Sequence, residues 1–131
     1  MKEIPVGTSG RQRLLVTPET AIDFIGNEQA RVLSTPHMIA WMEWAAREAI
    51  RPWLDENEDS LGTVVEVRHL AATPVGMSVE FTATVEDVRG RRVRFRVEAR
   101  DEKELVGEGF HERFVADIPR LVAALAAKKA S

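Results

Sequence analysis

The chain has no cysteine among its 131 residues. Disulfides, thiolate catalysis and cysteine-ligated metals are therefore excluded, and a reducing, cytoplasmic setting is favoured. Long hydrophobic runs are also missing. No stretch approaches the roughly 20 apolar residues of a membrane span, and the start Met1-Lys2-Glu3-Ile4-Pro5 has no signal-peptide core. Net positive charge is missing too: the formal charge of −3 gives no global attraction to nucleic acid, and no long basic run suggests a polyanion-binding tail. There is no internal repeat and no low-complexity linker apart from an alanine-rich C-terminal end. What remains is an apolar fraction of 44% and a charged fraction of 30%, the balance of an ordinary soluble globular protein. The length suits one domain, residues 1–131, with a real hydrophobic core.

Periodicity divides the chain. Leu14-Leu15-Val16, bounded by Gly10-Arg11 and Thr17-Pro18, reads as a first short strand. Thr17-Pro18-Glu19-Thr20 has a hydroxyl cap and proline at the first helical position, and Ala21 to Phe24 has room for only a turn or two. A long helix follows. Ser34 or Thr35 can cap it, Pro36 suits its first turn, and Met38, Met42, Ala45, Ala46, Ala49, Ile50 and Trp53 fall within about 120° of one another. Pro52 helps end it.

Beyond residues 55–60 the period switches to two. Val65, Val67 and His69 share one strand face, with Glu66 and Arg68 on the other. Val79, Phe81, Ala83 and Val85 alternate with polar residues, as do Val93, Phe95, Val97 and Ala99. The turn signal Val88-Arg89-Gly90 predicts an odd-numbered loop that keeps the two apolar faces in phase. Leu105 to Val115 forms a last strand, and Ile118, Leu121, Val122 and Leu125 make an amphipathic C-terminal helix. The simplest packing is α+β, with the long helix against the apolar face of an antiparallel sheet.

Three residues on these elements point to chemistry. Glu43 lies about 140° round the helix from Met38, at the edge of the apolar stripe. His69 points where the valines point, and Thr35 stands at the helix start. Each has a structural explanation: an i,i+4 pair with Arg47 for Glu43, a hydrogen-bonded core imidazole for His69, a helix cap for Thr35. Packing the helix on the inward face of the next strand brings all three toward one cleft. There a carboxylate can activate water or attack a carbonyl, an imidazole can move a proton, and helix-start N–H groups can hold an oxyanion. His37 and His111 are weaker candidates, and no histidine pairs with a carboxylate at metal-ligand spacing. The arginine run Arg89 to Arg96 reads foremost as a solvated sheet face, with phosphate binding as its functional alternative. Trp41, Trp44 and Trp53 read as packing or subunit-contact residues.

The motifs Ser34-Thr35, Met42-Glu43-Trp44-Ala45, Ser60-Leu61-Gly62-Thr63, His69-Leu70-Ala71-Ala72-Thr73-Pro74 with Gly76, Gly90-Arg91-Arg92, and Gly109 before His111-Glu112-Arg113 resemble the fluoroacetyl-CoA thioesterase family of hotdog-fold thioesterases. The resemblance runs unbroken over roughly residues 30–115. It implies a hotdog fold, an antiparallel sheet wrapped around one long central helix, in a homodimer or higher homo-oligomer with sites at the subunit boundary. By it, Thr35, Glu43 and His69 match the catalytic trio, and Gly62 and Arg113 match residues shaping the acyl pocket. The activity implied is hydrolysis of a short or small acyl-CoA thioester to free acid and coenzyme A. Coenzyme A is then part of the substrate, with no separate cofactor, metal, membrane or nucleic-acid partner. One stretch departs from the family pattern. Gly26-Asn27-Glu28-Gln29-Ala30 lacks the aromatic lid, with no phenylalanine after Phe24, which implies a broader or different acyl group. The non-enzyme alternative is an acyl-CoA-binding hotdog module. A hotdog hydratase would need an Asp–His motif at the helix start, and none is present there.

Overall fold

The computed structural model describes residues 1–23 and 26–130. Seven main elements follow in chain order: β1 (Ser9–Leu15), α1 (Thr35–Ile50), β2 (Glu58–His69), β3 (Ser78–Arg89), β4 (Arg92–Arg100), β5 (Leu105–Asp117) and α2 (Ile118–Ala130). A single 3₁₀ turn at Pro18–Thr20 occupies the first predicted helical stretch. The expectation for Phe24 falls outside the described residues.

The long helix α1 forms because its apolar residues recur on one stripe and its start is capped. Met38, Met42, Ala45, Ala46, Ala49 and Ile50 are all buried. Each of the larger side chains contributes roughly 1.5–3 kcal/mol on burial. The cap is Ser34, whose hydroxyl accepts from the His37 N–H at 3.2 Å. Thr35 is therefore the first helical residue, not the cap, and its hydroxyl is free for another partner. After Ile50 the chain tightens into a 3₁₀ turn, Arg51–Trp53, around Pro52.

The sheet has five antiparallel strands in the order β1-β3-β4-β5-β2, and α1 touches every strand. Val79, Phe81, Ala83 and Val85 of β3, with Val93, Phe95, Val97 and Ala99 of β4, are fully buried on the inner face. The opposite face carries the charged residues in ion pairs, among them Arg94 with Glu86 and Glu112 and Arg96 with Glu98. This is the solvated face read from the alternation.

Three expectations change in detail. β1 begins at Ser9, well before Leu14, because pairing with β3 from Ser9↔Thr84 to Leu15↔Ser78 supplies the strand that its polar first half does not announce. The β3–β4 turn has two residues, Gly90-Arg91, and not an odd number. Gly90 supplies the positive φ of 63°, and a bulge between Val85 and Asp87 restores the phase that an odd loop would have kept. Finally, α2 forms, but none of its residues is buried and Val122 and Leu125 stay exposed.

Candidate active site

The end of β2 meets the start of α1. The Thr35 hydroxyl lies 2.8 Å from His69 Nδ1, joining residues 34 positions apart. Residues 65, 67 and 69 do share the inward face, since they pair with His111, Gly109 and Gly107 of β5. Burial lowers the His69 pKa from its ordinary value, with a backbone contact at Ala71 acting against it. Its Nε2 is buried and has no hydrogen-bond partner in the chain. A neutral imidazole can thus give its Nδ1–H to Thr35 and keep a basic lone pair at Nε2 in a dry place.

Two turns along α1, Glu43 faces a second group. Its carboxylate, 39% exposed, lies 3.5 Å from Arg113 Nη1. Arg113 itself is 5% exposed. It points inward from β5, its Nε donating to Ser60 Oγ and its Nη2 to the Ser60 carbonyl, both at 2.7 Å. The third nitrogen, Nη1, lies 3.2 Å from His111 Nε2. Burial lowers the Arg113 pKa from the usual arginine value, while Glu43 and Asp59 pull it upward. Gly62 faces this group from β2. A β-carbon there would stand 2.5 Å from Glu43 Oε2, so glycine at this position is what lets the carboxylate sit against the strand.

The structure therefore brings Thr35 to His69 and Glu43 to Gly62 and Arg113, as two separate groups. The eight-position step along the helix from Thr35 to Glu43 amounts to about 12 Å of rise, too far for a hydrogen bond within one chain. The bland partner for Glu43 fails: Arg47 is taken by Asp59, with bonds of 3.0 and 2.6 Å. In the sequence Ser60 stands only within a family motif with no site role, and His111 is a weak candidate, because strand pairing and not local pattern puts them beside Arg113. His37 Nδ1 lies 2.5 Å from the Ser34 hydroxyl at the cap. Trp41 packs on Trp44 and Phe81, with ring centroids 4.8 and 6.1 Å apart. Among the described residues no group of three or more His, Cys, Asp or Glu could hold a metal ion, and no helix is long and apolar enough to cross a membrane.

A five-stranded antiparallel sheet wrapped on one helix is the hotdog architecture, shared with a hot-dog-like protein from Thermanaerovibrio acidaminovorans, and the class is that of the hotdog thioesterases, which hydrolyse thioesters. Within that class the chain belongs to the fluoroacetyl-CoA-specific thioesterase (FlK) family, whose profile matches residues 16–118. It is 43% identical over 93 residues to the fluoroacetyl-CoA thioesterase of Streptantibioticus cattleyicolor, covering 71% of this chain and 67% of that one. A solved structure of the fluoroacetyl-CoA thioesterase FlK superposes with a TM-score of 0.86 at 34% identity, covering 97% of this chain and 98% of the other. A thioesterase superfamily member from Thermus thermophilus gives a TM-score of 0.90 at 35% identity, covering 99% and 96%.

Proposed function

We propose that the chain hydrolyses a small acyl-CoA thioester to the free acid and coenzyme A, with Glu43, His69 and Thr35 as the reacting groups. The observation that carries this reading is the placement of Glu43: a half-exposed carboxylate held by a buried arginine, in a space that Gly62 keeps open. Glu43 either removes a proton from the attacking water or itself attacks the thioester carbonyl, forming an anhydride that water then opens. The proton that leaves the attacking water passes, directly or by way of Glu43, to the free Nε2 lone pair of His69 and from there to the departing thiolate, while Thr35 holds the imidazole through the 2.8 Å contact. The developing oxyanion takes backbone N–H groups near Gly62 or at the helix start. At that start Pro36 has no N–H and His37 donates to Ser34, which leaves Thr35 as the available donor.

The reading includes a homodimer that completes the site. The outer edge of β2 has no partner strand among the described residues, and Leu61 and Val65 on this strand and Leu70 just beyond it are exposed. A twelve-residue edge with apolar side chains invites a second copy. Antiparallel pairing of two β2 edges would bring His69 and Thr35 of one protomer toward the partner's Glu43, across a gap that one chain cannot close. Exposed residues 26–29, without an aromatic side chain, fit a short acyl group other than fluoroacetyl. The cysteine-free composition fits a cytoplasmic enzyme.

A panel of short acyl-CoA esters, followed by thiol release, tests the chemistry in wild type, Glu43→Ala and His69→Ala. Loss of turnover in both variants is expected, and unchanged rates would sink the mechanism. Tight binding in calorimetry with no thiol release would instead favour the binding module. Co-expressing the two inactive variants tests the shared site. A mixed dimer has one site with neither substitution, so partial activity should return.

A further inference from the structure

His111 is the most deeply buried ionisable group beside the proposed site and has no part in the mechanism above. It is 1% exposed, two residues before Arg113 on the same face of β5, with its ring stacked near Phe95 at 6.1 Å. Its two nitrogens meet different partners. Nδ1 lies 2.8 Å from the Val64 carbonyl, and a carbonyl only accepts, so Nδ1 carries the proton. Nε2 lies 3.2 Å from Arg113 Nη1, and a guanidinium only donates, so Nε2 must be the acceptor. Only the neutral Nδ1–H tautomer satisfies both. A protonated ring would set N–H against N–H and cation against cation in a place closed to water, and burial accordingly lowers the His111 pKa.

We propose that His111 is a positioning residue for Arg113: it accepts one Nη1 hydrogen, so that the guanidinium presents the other toward Glu43 and the acyl group. Ser60 fixes the Nε and Nη2 side of the same plane, and His111 fixes the remaining corner. Arg113 meets Glu43 only at 3.5 Å, so the carboxylate alone would not hold the plane in one orientation. The assignment of the acyl group to this pocket rests on the thioesterase reading above; the tautomer does not.

Two experiments separate these dependencies. Long-range ¹H–¹⁵N spectra of the wild-type protein at pH 7 should show His111 as the Nδ1–H tautomer, and an Nε2–H or doubly protonated ring overturns the proposal. Thiol-release kinetics then compare His111→Phe, Arg113→Ala and their combination. His111→Phe keeps the ring stacking but removes the acceptor, and kcat/KM should fall about tenfold or more. In the Arg113→Ala background the same change should have no further effect, because its action runs through the arginine. Losses that multiply overturn the positioning role. His111→Gln, which keeps an acceptor, should recover most of the rate and covers the case in which the phenylalanine variant fails to fold. A wild-type protein that releases no thiol overturns the thioesterase reading, and the tautomer then decides the clamp by itself.

Discussion

Arg94 and Arg113 stand on adjacent strands, β4 and β5, and face opposite sides of one sheet. Arg94 lies outside between two carboxylates, 2.9 Å from Glu86 and 3.0 Å from Glu112, with the Phe110 ring 4.5 Å beneath its guanidinium. The hydrogen bond it donates to Glu86, helped by the one to Glu112, raises its pKa. Arg113 lies inside, buried, with the Glu43 carboxylate at 3.5 Å and further hydrogen bonds to Ser60 and His111. Solvated ion pairs of the first kind add little to stability. Burying an arginine costs on the order of several kcal/mol of desolvation, and a counter-charge as distant as this one is weak evidence of a gain in stability. Stability therefore accounts for neither arginine. The outer one keeps a sheet face soluble, and the inner one is held in place for what it faces.

That contrast can be tested by substitutions with unequal effects. Removing the group that Arg113 faces should matter most: Glu43→Ala is expected to lower kcat by on the order of 10²- to 10⁴-fold in the thiol-release assay. Gly62→Ala comes next. Its new methyl would stand 2.5 Å from Glu43 Oε2, so the carboxylate must move. A loss of about tenfold to hundredfold in turnover is expected. The melting temperature should hold or rise, because alanine restricts the unfolded chain. Full activity in this variant would remove the argument for a fixed carboxylate.

Acid sharpens the comparison further. His69 and His111 both have lowered pKa values in the folded state, each chiefly through burial. An unfolded chain takes up protons at these imidazoles from about pH 6.5 downward, while the folded chain resists them. Stability should therefore be level above about pH 6.5 and decline from there toward pH 5, as urea midpoints across that range would show. His111→Phe should make the decline shallower. Arg94→Gln should leave the slope unchanged, because no histidine takes part in its bonds. The smallest effect is expected from Arg94→Gln itself: unchanged thiol release, and a slight melting shift that salt erases. A large, salt-insensitive destabilisation would mean that the outer network has been undervalued.

Much of this arrangement can be read along the chain. Met38 to Ile50 declared α1 through their spacing, and the alternation through Val79–Val85 and Val93–Ala99 declared the inner faces of β3 and β4. Thr35, Glu43 and His69 stood out because each put a polar group at the margin of an apolar face. The polar half of β1 was not legible, since its strand character comes from β3. The bulge after Val85 was not legible either, because two routes, an odd loop or a bulge with a two-residue turn, keep the same faces in phase.

The buried arginine shows where the division falls. From its own residues the sequence determined the elements, since helix and strand periods are local and depend on neighbours within a few positions. It also determined that a carboxylate, an imidazole and a hydroxyl lie at element edges. Only the tertiary structure decided that Arg113 reaches across 70 positions to Glu43 and across 53 to Ser60, with His111 alongside. These contacts come from the register of β2 on β5 and from the packing of α1. Register is a property of pairs of strands, so no pattern within either strand announces it.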